Sequence, residues 1–344
     1  MTTKIPLLLT DPSPNLRLLV LRELLHRAPD DDEVRELTVL REEDAIVREL
    51  LVLQYADGSW RSRDGGSDGW SGIKTTAQAL LKLGYLGFGP DFGPIKKGAG
   101  YLFSHQRKDG SWPLPDYKAE SEARDTYSMI PLQTGVPLRG LAAAGYAADP
   151  RAERAYEWLL DKRLPDGAWP TGVKAGQNVF PAGYRHLSHS RYGCRTNTTF
   201  AVSALAFHPQ RRKSPQAQRG LDLLLAQDTL LGSNLGYEVA RIIGVERDNG
   251  LFTYFARYDI ALMLDLCRRV EASLEDKRIA DMVEYSNGLL GQYGLWEYAA
   301  HPEASRWITF DLLRSLTRLD EKTDWVSLEP RTPYQPYPKR PKRY

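Results

Sequence analysis

The apolar positions of this chain recur with helical spacing, and turn signals separate the helical stretches. Stretches that are apolar and rich in small residues or threonine are predicted to be inner helices, near residues 73–85, 125–146, 194–208, 256–269 and 305–319. Stretches with one charged face are predicted to be outer helices, near residues 93–106, 150–162, 215–227 and 276–292. The alternation predicts helical hairpins stacked side by side, preceded by N-terminal helices.

One short phrase occurs in three near-copies, each at the end of a predicted helix. It is Gln-x-x-Asp-Gly-Ser-Trp at 54–60 and 106–112, and Arg-x-x-Asp-Gly-Ala-Trp at 163–169. The tryptophans that end the phrases are 52 and 57 residues apart, and weaker phrases follow at 232–237 and 292–296. Asp-Gly favours a tight turn, and a tryptophan offers a large apolar surface to the next unit. A turn signature that recurs at this period predicts a repeat architecture.

The phrase Gln-x-x-Asp-Gly-Ser-Trp closely resembles the QW motifs of squalene–hopene cyclases and related triterpene cyclases. Protein prenyltransferase β subunits share the fold of that family. The resemblance covers roughly residues 45–320. It implies an all-α protein built as an α/α toroid (α6/α6 barrel) of helical hairpins. We predict an N-terminal helical extension packed on the barrel (1–44), the toroid of QW-type repeats (45–325) and an extended, Pro-rich and basic tail (326–344).

Composition narrows the class of protein. Hydrophobic residues make up 42% and aromatic residues 10% of the 344, which suits one well-filled core. A net charge of +2 gives no signal for nucleic acid, and two cysteines are too few for a disulfide framework. The sequence has no apolar stretch of membrane-spanning length and no signal-peptide pattern. We therefore expect a cytoplasmic protein with a small-molecule partner; peripheral contact with a membrane and the oligomeric state stay open.

The first candidate site for catalysis precedes the second predicted inner helix. Class II terpene cyclases protonate an alkene with an Asp-x-Asp-Asp-Thr motif, and the segment Glu122-Ala-Arg124-Asp125-Thr126 resembles it. Arg124 replaces the central aspartate, which is the proton donor of that family, and arginine donates no proton near neutral pH. Asp125 would then be the acid, with Glu122 as its partner. The alternative is a helix cap whose charges compensate one another.

A second candidate site combines His186, His189 and Cys194, which are zinc-ligand types at short spacing. Protein prenyltransferases hold zinc through Asp, Cys and His, although their Asp-x-Cys pattern is absent here because Tyr192 stands two residues before Cys194. Cys194 could instead be a reactive thiol beside arginines, or a small buried residue in a loop that shapes the cavity.

A third group of residues suggests substrate contacts. Arginines recur near the starts of inner helices, where they would suit a diphosphate or carboxylate or would pair with acids such as Asp259. Aromatic side chains on inner helices or rim loops could hold an isoprenoid and stabilise carbocations, or only pack between helices. The substrate-binding candidates are Trp70, Tyr127, Tyr184, Arg191, Tyr192, Arg195, Tyr254, Arg257, Tyr258, Asp259, Trp296 and Trp307.

These features together predict a terpene-cyclase-like enzyme that binds an isoprenoid or similar lipid in a central aromatic cavity and cyclises it after protonation. No cofactor is expected for that reaction. The alternatives are a zinc-dependent prenyltransferase-like enzyme and a non-catalytic lipid-binding or interaction toroid. Zinc would serve the first alternative, and magnesium stays a candidate cofactor.

Overall fold

The computed structural model describes residues 4–61, 69–113, 127–174, 176–179, 186–226, 234–246, 259–319 and 325, with the backbone alone at 69, 70 and 127. Within these ranges the chain forms 14 α-helices, and the fold is the predicted all-α, α/α toroid. The helices are α1 (Ile5–Leu9), α2 (Pro14–Leu19), α3 (Asp32–Leu40), α4 (Ala45–Leu51), α5 (Gly69–Tyr85), α6 (Gly93–Ser104), α7 (Val136–Leu141), α8 (Pro150–Asp161), α9 (Arg195–Phe207), α10 (Pro215–Leu225), α11 (Tyr237–Ile243), α12 (Ile260–Val270), α13 (Lys277–Asn287) and α14 (Ser305–Leu319). None of these helices is long and apolar enough to cross a membrane.

Six of the described segments form an inner layer: α2 with the π-helical turn Val20–Leu24, α5, α7 with the π-helical turns Pro131–Gly135 and Ala142–Tyr146, α9, α12 and α14. From α5 to α14 each segment packs on the next in chain order, and α14 also contacts the turn 20–24. A β-carbon on Gly87, just after α5, would lie 3.9 Å from Leu19 of α2. The contacts therefore run round a closed ring, to which the predicted N-terminal extension contributes α2.

The inner helices approach closely where α5 crosses α7. A β-carbon at Gly140 of α7 would overlap the backbone oxygen of Ala77, and one at Gly84 of α5 would overlap that of Ala143. Glycine at both positions lets the two backbones touch. The outer helices α6, α8, α10 and α13 each pack on the inner helix that precedes or follows them.

The turn phrases join the outer helices to the inner ones as the sequence predicts. Gln54 Nε2 donates hydrogen bonds to the carbonyl oxygens of Gly58, within its turn, and Pro94, in the next outer helix. In four turns an indole N–H donates, over 2.7–2.8 Å, to the carbonyl oxygen ten residues earlier: Trp60 to Leu50, Trp112 to Leu102, Trp169 to Leu159 and Trp296 to Ser286. These tryptophans are buried, so each fastens its turn to the outer helix before it.

Two features of the rim differ from a simple repeat. Three short antiparallel strands, β1 (Tyr127–Ser128), β2 (Gly172–Lys174) and β3 (Gln177–Val179), join the segments that precede α7 and α9. Part of the weak phrase predicted at 232–237 lies outside the described residues, and its aromatic residue, Tyr237, begins α11.

Candidate functional site

Helix α11 lies inside the toroid. It contacts the inner helices α5, α12 and α14. Its Glu238 also reaches Arg139 of a fourth inner helix, α7. These contacts with helices on opposite sides of the ring place α11 across the lumen.

A buried ion cluster holds α11 in the lumen. Glu238 Oε1 lies 2.7 Å from Arg139 Nη1, and both carboxylate oxygens accept hydrogen bonds of 3.0 Å from Arg241, one turn further along α11. Arg139 and Glu238 are both almost fully buried. Burial alone would raise the pKa of Glu238, but the guanidinium groups of Arg241 and Arg139 together outweigh it and lower that pKa. The cluster is therefore charged at neutral pH.

Asp259 ties α11 to the start of α12. Its Oδ1 accepts hydrogen bonds from the backbone N–H of Gly236 (2.9 Å) and Ala261 (3.0 Å), and its Oδ2 accepts one from Glu238 (2.6 Å). Burial raises the pKa of this carboxyl to about 6, although the backbone donors oppose the change. We expected Asp259 to contact substrate; the structure instead uses its carboxylate oxygens to cap two helices.

A pocket of about 220 Å³ remains between α4, α5 and α11. Lys82 of α5 lies in it, and its Nζ donates a 3.0 Å hydrogen bond to the carbonyl oxygen of Ile243, the last residue of α11. Burial lowers the pKa of this amine to about 8. The pocket lining is Leu50, Leu53, Trp60, Arg61, Thr75, Gln78, Ala79, Leu81, Lys82, Arg241, Ile242 and Glu246.

Charged side chains also lie between α5, α12, α14 and the turn after α2. Arg314 of α14 pairs with Asp311 on its own helix and lies 3.4 Å from Glu23, in the turn after α2. Arg269 of α12 lies 2.7 Å from Asp265. The guanidinium of Arg314 also lies over the ring of Tyr85 from α5. In the described part of the molecule, buried ion pairs therefore lie between inner helices for which an aromatic lining was predicted.

The structure places two of the aromatic candidates, Trp307 and Trp296, in different surroundings. Trp307 is buried on α14 with its ring centroid 6.2 Å from that of Tyr85 on α5, so it does face across the ring. Trp296 is a turn tryptophan and lies against α13, because its indole N–H bonds the carbonyl oxygen of Ser286. Its position explains it as a packing residue and gives it no place in the lumen.

The predicted acid pair and several contacts fall outside the described residues. These are Glu122, Asp125, Tyr184, Tyr254, Arg257 and Tyr258, and no side chain is described for Trp70 or Tyr127. Their roles stay predictions.

The predicted zinc ligands do not converge. Cys194 and His186 are partners in an isolated β-bridge, but Cys194 is buried whereas His186 and His189 are exposed. Among the residues described, no group of three His, Cys, Asp or Glu side chains could hold a metal ion. The structure thus favours the interpretation of Cys194 as a small buried residue at the start of α9.

The segment after the histidines places the remaining candidates at the rim. Arg191 is exposed with its guanidinium 5.1 Å from the centre of the neighbouring Tyr192 ring, which is half-buried. Arg195 is half-buried and is the first residue of α9.

Sequence inspection missed Lys82, Arg139 and Glu238. Lys82 and Arg139 had a usable signal, because each is a charge set among apolar and small neighbours of an inner helix, in Ala-Leu-Leu-Lys-Leu-Gly and Pro-Leu-Arg-Gly-Leu-Ala. A charge in such a place is rare unless it is paired or hydrogen-bonded.

Comparison of the sequence with protein-family models and with known proteins points to one family. The family model for the squalene-hopene cyclase C-terminal domain matches residues 36–208. A squalene–hopene cyclase of Bradyrhizobium diazoefficiens is 31% identical over 145 residues, which are 40% of this chain and 20% of that protein. A probable squalene–hopene cyclase of Sinorhizobium fredii is 29% identical over the same length, again 20% of its own chain. The matched region thus spans about a fifth of these relatives.

Solved structures show weaker likeness. A variant of the type II terpene cyclase MstE from Scytonema, in complex with geranylgeranyl dihydroxybenzoate, is 18% identical with a TM-score of 0.42, covering 79% of this chain and 70% of that one. A variant of UGL, with dGlcA-Glc-Rha-Glc, is 15% identical with a TM-score of 0.45, covering 89% of this chain and 84% of that one.

Proposed function

Because the chain belongs to the squalene-hopene cyclase C-terminal domain family, we propose that it is a terpene-cyclase-like enzyme that takes an isoprenoid into its toroid and begins the reaction by protonation. The observation that carries this proposal is the family match, which includes the segment 120–127 with its resemblance to the acid motif. Asp125 would supply the proton, and Glu122 would tune its acidity.

The pocket at Lys82 supports an apolar substrate. In the described conformation it lies beside α11, and Leu50, Leu53 and Trp60 give it an apolar wall. The indole N–H of Trp60 is already bonded to the carbonyl oxygen of Leu50, so the ring presents only apolar and π surface. Such a wall suits an isoprenoid tail, and its aromatic face would attract a developing carbocation.

A second candidate function is a binding protein without catalysis. Arg124 stands where the family's proton donor is expected, and α11 occupies the lumen through the pairing of Glu238 with Arg139. Both observations favour a toroid that retains ligand but has lost the acid. The zinc enzyme is not carried forward, since Cys194 is buried while both histidines are exposed, and the described residues contain no group of three ligands that could hold a metal ion.

A product screen tests the enzymatic proposal. Purified protein is incubated with squalene and with C10, C15 and C20 prenyl diphosphates, with and without magnesium, and the products are identified by gas chromatography and mass spectrometry. Asp125→Asn is the test variant. Glu120→Gln is the matched control, because it neutralises a carboxylate of the same segment outside the proposed acid pair.

We expect a cyclic product from the wild type and from Glu120→Gln, and none from Asp125→Asn. A product that persists in Asp125→Asn would contradict the assignment of the acid. If the wild type binds isoprenoids but forms no product, the binding protein is the better proposal. If it neither binds nor converts any of them, both isoprenoid functions are wrong.

A further inference from the structure

We propose that the pocket between α4, α5 and α11 binds the anionic group, carboxylate or phosphate, of an amphiphilic ligand through the amine of Lys82. The isoprenoid nature of the tail rests on the proposed function above. The anion site does not, because it follows from the charges and the cavity.

Lys82 is a half-buried cation with unused hydrogen-bonding capacity. Its ammonium has three N–H donors, and the structure gives it one acceptor, the carbonyl oxygen of Ile243 at 3.0 Å. Among the described residues no carboxylate comes within ion-pair distance of Nζ; Glu49 and Asp44 act on it only from further away. A partly desolvated charge without an ionic partner is unfavourable, so an anion in the adjoining cavity would stabilise it.

The other charges of the pocket are already paired. Arg241 binds Glu238 on α11, and Arg61 lies 3.2 Å from Asp57 at the pocket edge. Of the described lining residues only Glu246 is acidic, and it accepts a 2.8 Å hydrogen bond from the hydroxyl of Tyr298. Arg61 and Arg241 are thus compensated by carboxylates outside the lining, whereas Lys82 is the described lining cation for which the structure gives no carboxylate partner, so an anion in the pocket would pair with it.

The pocket suits an amphiphile, since its lining combines the cation with the apolar side chains of Leu50, Leu53 and Trp60. The low pKa of the Lys82 amine agrees with this arrangement: burial disfavours its charge, and a bound anion would restore it. A different explanation is that Lys82 only caps the C-terminal end of α11, where a cation is favourable. The experiment must separate the two.

Isothermal titration calorimetry at pH 7 tests the site with four probes. Octyl phosphate and octanoate carry the two anions on a plain tail; farnesyl phosphate adds an isoprenoid tail; farnesol has that tail without the anion. The variants are Lys82→Met, which keeps the length and loses the charge, and Lys82→Arg, which keeps the charge. Lys96→Met on the exposed face of α6 is the control.

We expect the anions that bind the wild type to bind Lys96→Met equally and to keep most of their affinity for Lys82→Arg. Their affinity for Lys82→Met should fall about tenfold or more, because a charge-assisted hydrogen bond is lost. Farnesol should bind Lys82→Met as it binds the wild type. Octyl phosphate against octanoate shows which anion fits. If folded Lys82→Met binds the anions as the wild type does and only its stability is lower, the proposal is overturned. Lys82 then serves only to cap the C-terminal end of α11.

A labelling experiment covers the case in which Lys82→Met does not fold. Acetylation of Lys82 by acetic anhydride at pH 8, followed by peptide mass spectrometry, should slow at least severalfold when octyl phosphate is bound, while Lys96 is unaffected. An unchanged rate at saturating probe would refute the site. If octyl phosphate binds but farnesol and farnesyl phosphate do not, the anion site stands and the isoprenoid tail is rejected. If farnesol binds and the anionic probes bind no more tightly, the isoprenoid tail stands and the anion site is rejected.

Discussion

Replacing Glu238 by glutamine tests whether the buried ion cluster keeps α11 in the lumen. The substitution preserves the volume of the side chain and removes its charge. Arg139 and Arg241 would then remain as two buried guanidinium groups without their carboxylate, one at 2.7 Å and the other at 3.0 Å from it in the wild type. The perturbation is therefore electrostatic and leaves the packing almost unchanged.

The expected cost follows from the burial of the pair. Removing one partner of a buried salt bridge destabilises a protein by about 3–5 kcal/mol, because the other charge stays buried. Glutamine still offers one oxygen to the arginines, which favours the lower end, about 3 kcal/mol. That free energy corresponds to about a 100-fold change in an equilibrium constant. The lost free energy should appear first as local opening of α11, since a short helix can open without unfolding of the whole domain.

Hydrogen–deuterium exchange at neutral pH measures that opening. Amides of peptides covering residues 234–246 should exchange about 100-fold faster in Glu238→Gln, whereas those of α9 should change little. Glu157→Gln is the matched control, because this exposed glutamate pairs with Arg211 on the outer surface and such a pair is worth about 0–1 kcal/mol. Exchange of the 234–246 peptides within about threefold of the wild type would refute the claim that the cluster holds α11.

Three further predictions concern other parts of the fold. Gly140→Ala should lower the free energy of unfolding in urea by about 1–3 kcal/mol, because the new methyl group meets the backbone oxygen of Ala77; a stability gain, as helix propensity alone predicts, would contradict this. Burial raises the pKa of Asp259 from 3.8 to about 6, so its contribution to stability is complete below 3.8 and is lost as the pH rises through 6. The free energy of unfolding of the wild type minus that of Asp259→Asn should therefore fall by up to about 3 kcal/mol between about pH 4 and 6.5, and a flat difference would be evidence against that pKa. Cys194 and Cys267 are both buried, so Ellman's reagent should react with the native protein only slowly and with the urea-unfolded chain at once; rapid labelling of the native protein would show an accessible thiol.

The repeat turns show which part of the structure the local sequence determines. Their geometry is set within about ten residues: the Asp-Gly pair makes the turn, and the tryptophan reaches back to the helix that precedes it. The same rule explains Trp296, whose turn lacks the Asp-Gly pair but keeps the indole hydrogen bond to Ser286. The sequence placed Trp296 at the right period but assigned it to the substrate, since period alone does not tell which way a side chain points.

The candidate site depends on residues that lie far apart along the chain. Arg139 meets Glu238 and Lys82 meets Ile243, pairs that only the closure of the ring brings together. In the sequence, Arg139, Glu238 and Lys82 each look like an isolated charge, and Ile243 looks like an ordinary helix end. The inner-helix pattern predicted a lumen, but it could not predict that a helix from a later loop would enter it.

The helical repeats and the turns that fasten them follow from the amino-acid sequence, because contacts between near neighbours set them, and the toroid follows from the family resemblance that the repeated phrase carries. Tertiary structure decided what fills the lumen and which charges meet there, and it separated the buried Cys194 from the exposed histidines. Those outcomes depend on the mutual position of elements that lie far apart in the chain, and on the cost of leaving a buried charge unpaired, which selects partners only when the chain has folded.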